Sequence, residues 1–209
     1  MKRRDVIIAV GTASLLPLVP GAARAAAAAG NVVGLLGQCL VERQGGGSTA
    51  LKLGDAVDVA DTLVVPADGK LKLRMADGSV VSLAAGTRMT VAAYQTGPGG
   101  ERQNAQLALS GGLLRAVVSQ VDHPASFEVS TAVGTAAVRS TDWFIEAKPG
   151  SAQVGVLTGS VSLTSRATGR SELIPSRWGA RLEAGRDPVP ARLWAPQEFQ
   201  AVIARTDVP

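Results

Sequence analysis

The sequence predicts an all-β domain of many short strands, wound as an irregular β-solenoid or paired as a two-sheet sandwich, with a short C-terminal helix. Three observations lead there. Short runs of β-branched and apolar residues are cut by turn formers every 8 to 12 positions or so, roughly the spacing of sandwiches, barrels and solenoids. Lys70–Met75 alternates strictly, with Leu71, Leu73 and Met75 on one face and Lys70, Lys72 and Arg74 on the other. Composition agrees: 24 glycines, 18% charged and 3% aromatic residues leave Val, Leu, Ile and Ala to build the core.

In chain order, residues 32–42 read as a first strand or strand pair, and Gln44-Gly45-Gly46-Gly47-Ser48 as a flexible turn. Asp68-Gly69 and Asp77-Gly78 flank the alternating run. Asp-Gly accepts the positive φ of a type I′ turn, so two hairpin corners are expected there. Residues 90–94 form a further strand. Residues 95–104, with Gly97-Pro98-Gly99-Gly100, are expected to be a mobile loop. Strands at 105–109 and 113–118 are separated by Ser110-Gly111-Gly112, a break of hairpin length. The rhythm continues to about residue 190. Pro196 then opens a helix whose Phe199, Val202 and Ile203 share one face. Glu198 near its start and Arg205 near its end suit the helix dipole, and it is expected to lie across the open end of the β structure.

The N-terminus reads as a cleaved export signal over residues 1–25. Lys2, Arg3 and Arg4 precede an apolar run at 6–19, shorter than the roughly 20 residues that span a bilayer, and Ala23-Arg24-Ala25 offers a small-x-small cleavage site. Arg3-Arg4 also fits a twin-arginine signal, leaving twin-arginine and general secretory export both open. Without this segment four basic residues and one acidic residue are lost, and the formal charge falls from +4 to +1. Dispersed charge with few aromatics speaks against nucleic-acid binding. The expected location is periplasmic or secreted, with no stable membrane insertion after cleavage.

Residues that carry chemistry are sparse. Cys39 is the only cysteine, so no intramolecular disulfide forms, and a buried strand position is expected for it. His123 is the only histidine and sits between Asp122 and Pro124, without a nucleophile elbow to serve. Asp55, Asp58 and Asp61 are spaced by three but interrupted by Val57, Val59 and Ala60, a pattern of solvent-facing turns rather than a cation loop. No cofactor, metal or catalytic residue is expected, and the chain is read as a non-enzyme.

A series of motifs runs through the centre. Leu53-Gly54-Asp55 and Asp61-Thr62-Leu63 come first, then Leu71-Lys72-Leu73 into Asp77-Gly78-Ser79-Val80-Val81-Ser82-Leu83. Leu109-Ser110-Gly111-Gly112-Leu113-Leu114-Arg115, Phe127-Glu128-Val129-Ser130-Thr131, Val138-Arg139-Ser140-Thr141 and Val156-Leu157-Thr158-Gly159-Ser160-Val161 complete it. In order and spacing this resembles the FecR domain, a module of bacterial envelope proteins, from about residue 32 to about 163. Ala132 and Ser140 depart from the family's usual Thr-Pro and Val-Arg-Gly-Thr, and glycine at the latter place suggests a backbone corner that serine does not share. Family members that regulate iron uptake join the domain to a membrane helix and a cytoplasmic anti-sigma segment, whereas this chain is expected to pass directly from signal to domain.

The expected organisation is therefore an export signal at 1–25, a FecR-like β domain at 26–165, further strands packed on it at 166–194, and a capping helix with its tail at 195–209. The resemblance implies a non-enzymatic interaction or signalling-related module whose partner is another envelope protein. The alternative is a glycan- or peptidoglycan-binding β module, which needs at least two exposed, coplanar rings from Tyr94, Trp143, Trp178 and Trp194. Arg139, Thr141, Asp142 and Trp143 are the interaction candidates, since Arg and aromatics are enriched at interface hot spots. The competing structural reading pairs Arg139 with Asp142 across a corner and buries Trp143 or Phe144 in the core.

Overall fold

The structure, a computed structural model, describes residues 28–122 and 125–208. The export signal expected at 1–25 and His123 lie outside the described residues. The alternating runs fold into strands throughout. The first eight are β1 (Gly30–Leu36), β2 (Leu40–Glu42), β3 (Ser48–Ala50), β4 (Ala56–Val57), β5 (Thr62–Val64), β6 (Lys70–Met75), β7 (Val80–Leu83) and β8 (Arg88–Thr96). Next are β9 (Arg102–Val117), β10 (Ser126–Ser130), β11 (Gly134–Val138), β12 (Asp142–Lys148) and β13 (Ser151–Thr158). The last are β14 (Ser160–Ser165), β15 (Ser171–Pro175), β16 (Trp178–Glu183) and β17 (Arg192–Leu193), followed by α1 (Pro196–Thr206).

The strands pair in two ladders. The first runs β4-β1-β6-β7-β9-β12-β13-β16-β17 and the second β3-β2-β5-β8-β9-β10-β11-β14-β15. Every pair is antiparallel except β9 with β10. Neither ladder closes on itself. One contiguous buried cluster draws from both, joining Leu71, Ile145 and Val154 of the first to Leu63, Leu107 and Val161 of the second.

Only β9 belongs to both ladders, and it corrects the expected hairpin at Ser110-Gly111-Gly112. The chain runs straight through as one strand of 16 residues. Residues before Gly111 pair with β8 and β10, and those from Gly112 onward with β7 and β12. Glycine is required at the crossing. Gly112 has φ +92, and a Cβ there would stand 2.5 Å from Thr87 Cα. Thr87 locks the crossing: its Oγ1 accepts from Leu113 N (3.0 Å) and donates to Leu113 O (3.2 Å).

Other turns also depart from expectation. Asp77-Gly78 does connect the paired strands β6 and β7, but only Gly78 has positive φ, so the turn is not type I′. Asp68-Gly69 carries the chain from β5 in one ladder to β6 in the other and closes no hairpin. Half of the segment 95–104 lies in β8 and β9, leaving 97–101 as the connection. Cys39 is fully buried just before β2, its thiol donating to Lys70 O.

α1 also sits elsewhere than expected. It lies on the outer face of the first ladder, where Val202 and Phe199 pack on Ala84, Leu113, Phe144 and Trp194. The Trp194 ring centroid is 5.4 Å from both Phe144 and Phe199. Both ends are tied: Glu198 accepts from Ala195 N (2.8 Å) and pairs with Arg192, while Lys70 Nζ donates to Ala204 O and Asp207 O at the C-terminal end, each at 2.9 Å. Among the described residues no helix is long and apolar enough to cross a membrane.

A buried ion pair holds the centre. The Asp77 and Arg102 side chains are 1% and 0% exposed and bonded to each other. Asp77 also accepts from Tyr94 OH (2.6 Å), Ser79 Oγ (2.8 Å) and Ser79 N (2.9 Å). The Arg102 guanidinium donates to Ser119 O (3.3 Å) and Arg139 O (3.2 Å) and lies over the Phe127 ring. Burial alone would raise the Asp77 pKa, but the bonds from Tyr94 and Ser79 with the Arg102 charge lower it on balance. Burial and the bond to Asp77 push Tyr94 up.

Removing one partner of a buried pair typically costs about 3 to 5 kcal/mol. Arg102→Met is therefore expected to lower the urea midpoint more than Tyr94→Phe does. A depressed carboxyl stabilises the fold fully above its ordinary pKa of 3.8 and progressively less as pH falls below it. A raised phenol stabilises below 10.0 and is lost above it. Stability measured against pH should fall at both limits, and Tyr94→Phe should weaken the alkaline fall.

Candidate functional site

β10, β11, β14 and β15 lie side by side in the second ladder and alternate cleanly. Phe127, Ala136, Val138, Val161 and Leu163 point into the core. The opposite face carries mainly small and hydroxyl side chains, in a row that runs from Glu128 to Ala137, Ser162 and Leu173 across neighbouring strands. Because α1 covers the other ladder, this face is left to solvent. Its small side chains leave a groove of about 470 Å³. Ser126, Ala137, Ser160 and Ser162 line it, with Arg139 at one end and Leu173 at the other. Leu173 is 66% exposed on β15, whose only strand partner among the described residues is β14. Its outer edge therefore carries backbone donors and acceptors without a strand partner.

The corner between β11 and β12 forms one wall, and the central ion pair reaches it through the Arg102 bond to Arg139 O. Thr141 is buried and its hydroxyl donates to Ser160 O (3.3 Å). Ser140 occupies the corner without positive φ; the left-handed residue is instead the neighbouring Gly159, at φ +84. A Cβ on Gly159 would lie 2.6 Å from Ser140 O.

The four sequence candidates separate. Arg139 is exposed on the groove and has no carboxylate partner among the described residues. Thr141 lines the groove but its hydroxyl is committed to Ser160. Asp142 faces the other way and pairs with Arg115 through two bonds, at 3.0 and 2.8 Å, instead of with Arg139. Those bonds raise the Arg115 pKa. Trp143 is fully buried, as is Phe144. Sequence reasoning missed Ser126, Ser160, Ser162 and Leu173. The signal was the alternation Ser160-Val161-Ser162-Leu163-Thr164, which separates a hydroxyl face from an apolar one.

Chemically, the groove offers hydroxyls, one cation, one apolar contact and an adjoining strand edge. The remaining reactive groups have structural settings. Burial raises the Cys39 thiol pKa, Asp55 accepts from Lys52 N, and Asp61 accepts from Asp58 N and pairs with Arg43. Among the described residues no three His, Cys, Asp or Glu side chains gather to hold a metal.

These features define an open all-β module that presents a bare face beside an unpaired edge. Residues 61–162 match the sequence model of the family described as FecR protein. The match begins later than the resemblance placed it and ends at nearly the expected residue. Two crystal structures of a candidate anti-sigma factor from Parabacteroides distasonis ATCC 8503, at 1.65 and 2.50 Å, share the fold. Each has a TM-score of 0.56 at 17% identity and covers 67% of this chain. This chain in turn spans 62% and 63% of those chains, less than two thirds of their length. No curated protein matches.

Gly159→Ala is expected to destabilise the domain by about 1 to 3 kcal/mol through positive φ and the contact with Ser140. Gly169, at φ +70, has open space around it, so Gly169→Ala should cost less. Urea unfolding of the two variants provides the comparison.

Proposed function

We propose that this chain is a non-enzymatic, signalling-related interaction module of the cell envelope, exported to the periplasm on its N-terminal signal. The observation that carries this reading is the groove between Arg139 and Leu173, continuous with the open edge of β15. An envelope protein docks there, adding an extended segment to β15 while Arg139 takes a carboxylate and Leu173 an apolar side chain. The FecR match at residues 61–162 supports the assignment to regulation, as does the shared fold with proteins described as anti-sigma factors. We read the two ladders as a two-sheet sandwich rather than a solenoid, because one buried cluster draws on both. The glycan-binding alternative is disfavoured: Trp143, Trp194 and Tyr94 are buried, leaving Trp178 as the one exposed ring of the four.

A photo-crosslinking side chain placed at Leu173 in living cells is expected to capture one reproducible envelope protein. The same group at Arg74, exposed on the other ladder, should not. Arg139→Glu should reduce the Leu173 product several-fold without moving the thermal midpoint. Equal capture at both positions, or none, would defeat the proposal, and sedimentation with isolated cell wall in place of protein capture would favour the glycan reading.

A further inference from the structure

The first ladder ends in two very short strands, β4 and β17, each with a single partner among the described residues. Short edge strands normally blunt a sheet against further pairing. Here each is surrounded by exposed apolar side chains. Leu53 (66% exposed) and Val59 (38%) flank β4, whereas Leu193 (57%), Trp178 (37%) and Val189 (51%) surround β17. Trp178 and Leu193 sit directly opposite each other across β16 and β17.

The two ends carry opposite charge. Residues 51–61 hold Lys52 against Asp55, Asp58 and Asp61, a formal −2. Residues 177–193 hold Arg177, Arg181, Arg186 and Arg192 against Glu183 and Asp187, a formal +2. The imbalance persists after internal pairing. Asp55 and Asp58 have no cationic partner among the described residues, and Arg177 has no carboxylate partner, while Arg181 and Arg186 share Glu183. Arg177 is held at φ 70, a left-handed conformation that costs an L-residue about 1 to 2 kcal/mol and that glycine adopts freely. A guanidinium is thus kept at the end of the ladder in spite of backbone strain.

We infer that copies of this chain associate head to tail, the β17 end of one docking on the β4 end of the next. Eight strand spacings separate the two ends, roughly 40 Å along the ladder, so one molecule cannot satisfy its own ends. Apolar rims meet and Arg177 faces Asp55 and Asp58; the outward carbonyls of Ala56 and Leu193 are taken by Arg43 and Arg192, so side chains rather than a continued ladder make the contact. Such a contact joins two different surfaces and does not close by two-fold symmetry, so it produces chains of variable length. It leaves the groove on the second ladder free and stands independently of the envelope partner proposed above.

Sedimentation velocity of the purified protein tests this directly. From about 1 μM to about 1 mM, the average mass should rise progressively past two chains. It should fall back as salt rises from about 0.05 to about 0.5 M, where surface charges are screened. Leu53→Asp removes the head and Leu193→Asp the tail, so each variant alone should stay at single-chain mass. Mixed in equal amounts, they should form a two-chain species that grows no further. The charge variants Asp58→Arg and Arg177→Asp should each stay at single-chain mass alone and, because the reversed charges match, grow past two chains when mixed, covering the case in which an apolar-site variant fails to fold. A wild-type protein that keeps single-chain mass throughout would overturn the inference, as would a single-end variant that still forms dimers alone.

Discussion

The buried pair between Asp77 and Arg102 is the interaction on which the rest of this structure depends. It joins the β6–β7 turn, the end of β8, the start of β9, the segment after β9 at Ser119 and the corner at Arg139. Two charges removed from water are tolerable only when their remaining bonding capacity is filled. Asp77 accepts from Tyr94 and from Ser79 twice besides its bond to Arg102, and Arg102 reaches two backbone carbonyls. The pair specifies as well as stabilises: a slipped strand would strand a buried charge, so it selects one arrangement of five distant segments.

The groove inherits its shape from this pair. Arg102 fixes the carbonyl of Arg139, the corner positions Thr141 against Ser160, and Gly159 lets the two segments meet. None of these contacts takes part in recognition. They hold one wall in place so that the Arg139 guanidinium projects from a fixed backbone, which in the proposed docking limits the ordering entropy to be overcome. The helix plays the opposite part on the far side, covering Leu113 and Phe144 and leaving the hydroxyl face as the open one.

Much of the site was half legible in the sequence. The corner at 138–144 was identified by its motif, but residues along it diverge once folded. Alternation along β12 sends Trp143 into the core and turns Asp142 outward toward Arg115 on β9. Arg115 is 27 positions away, and no local spacing names it. Leu173 was invisible for a similar reason: an exposed leucine in an amphipathic run reads as an ordinary strand residue until its strand proves to be the last in its ladder.

The sequence by itself determined the strand class, the alternation that gives each strand an apolar face, and the helix opened by Pro196. These follow from local chemistry, since side-chain period and turn residues act within a few positions. Tertiary structure alone decided the partners. Gly111-Gly112 has the composition of a hairpin turn, yet Thr87 and strands far away in sequence hold it as the point where β9 passes between ladders. Asp77 and Arg102, 25 positions apart, look like two surface charges until folding removes both from water. Burial is a property of the whole assembly, and no window along the chain contains it.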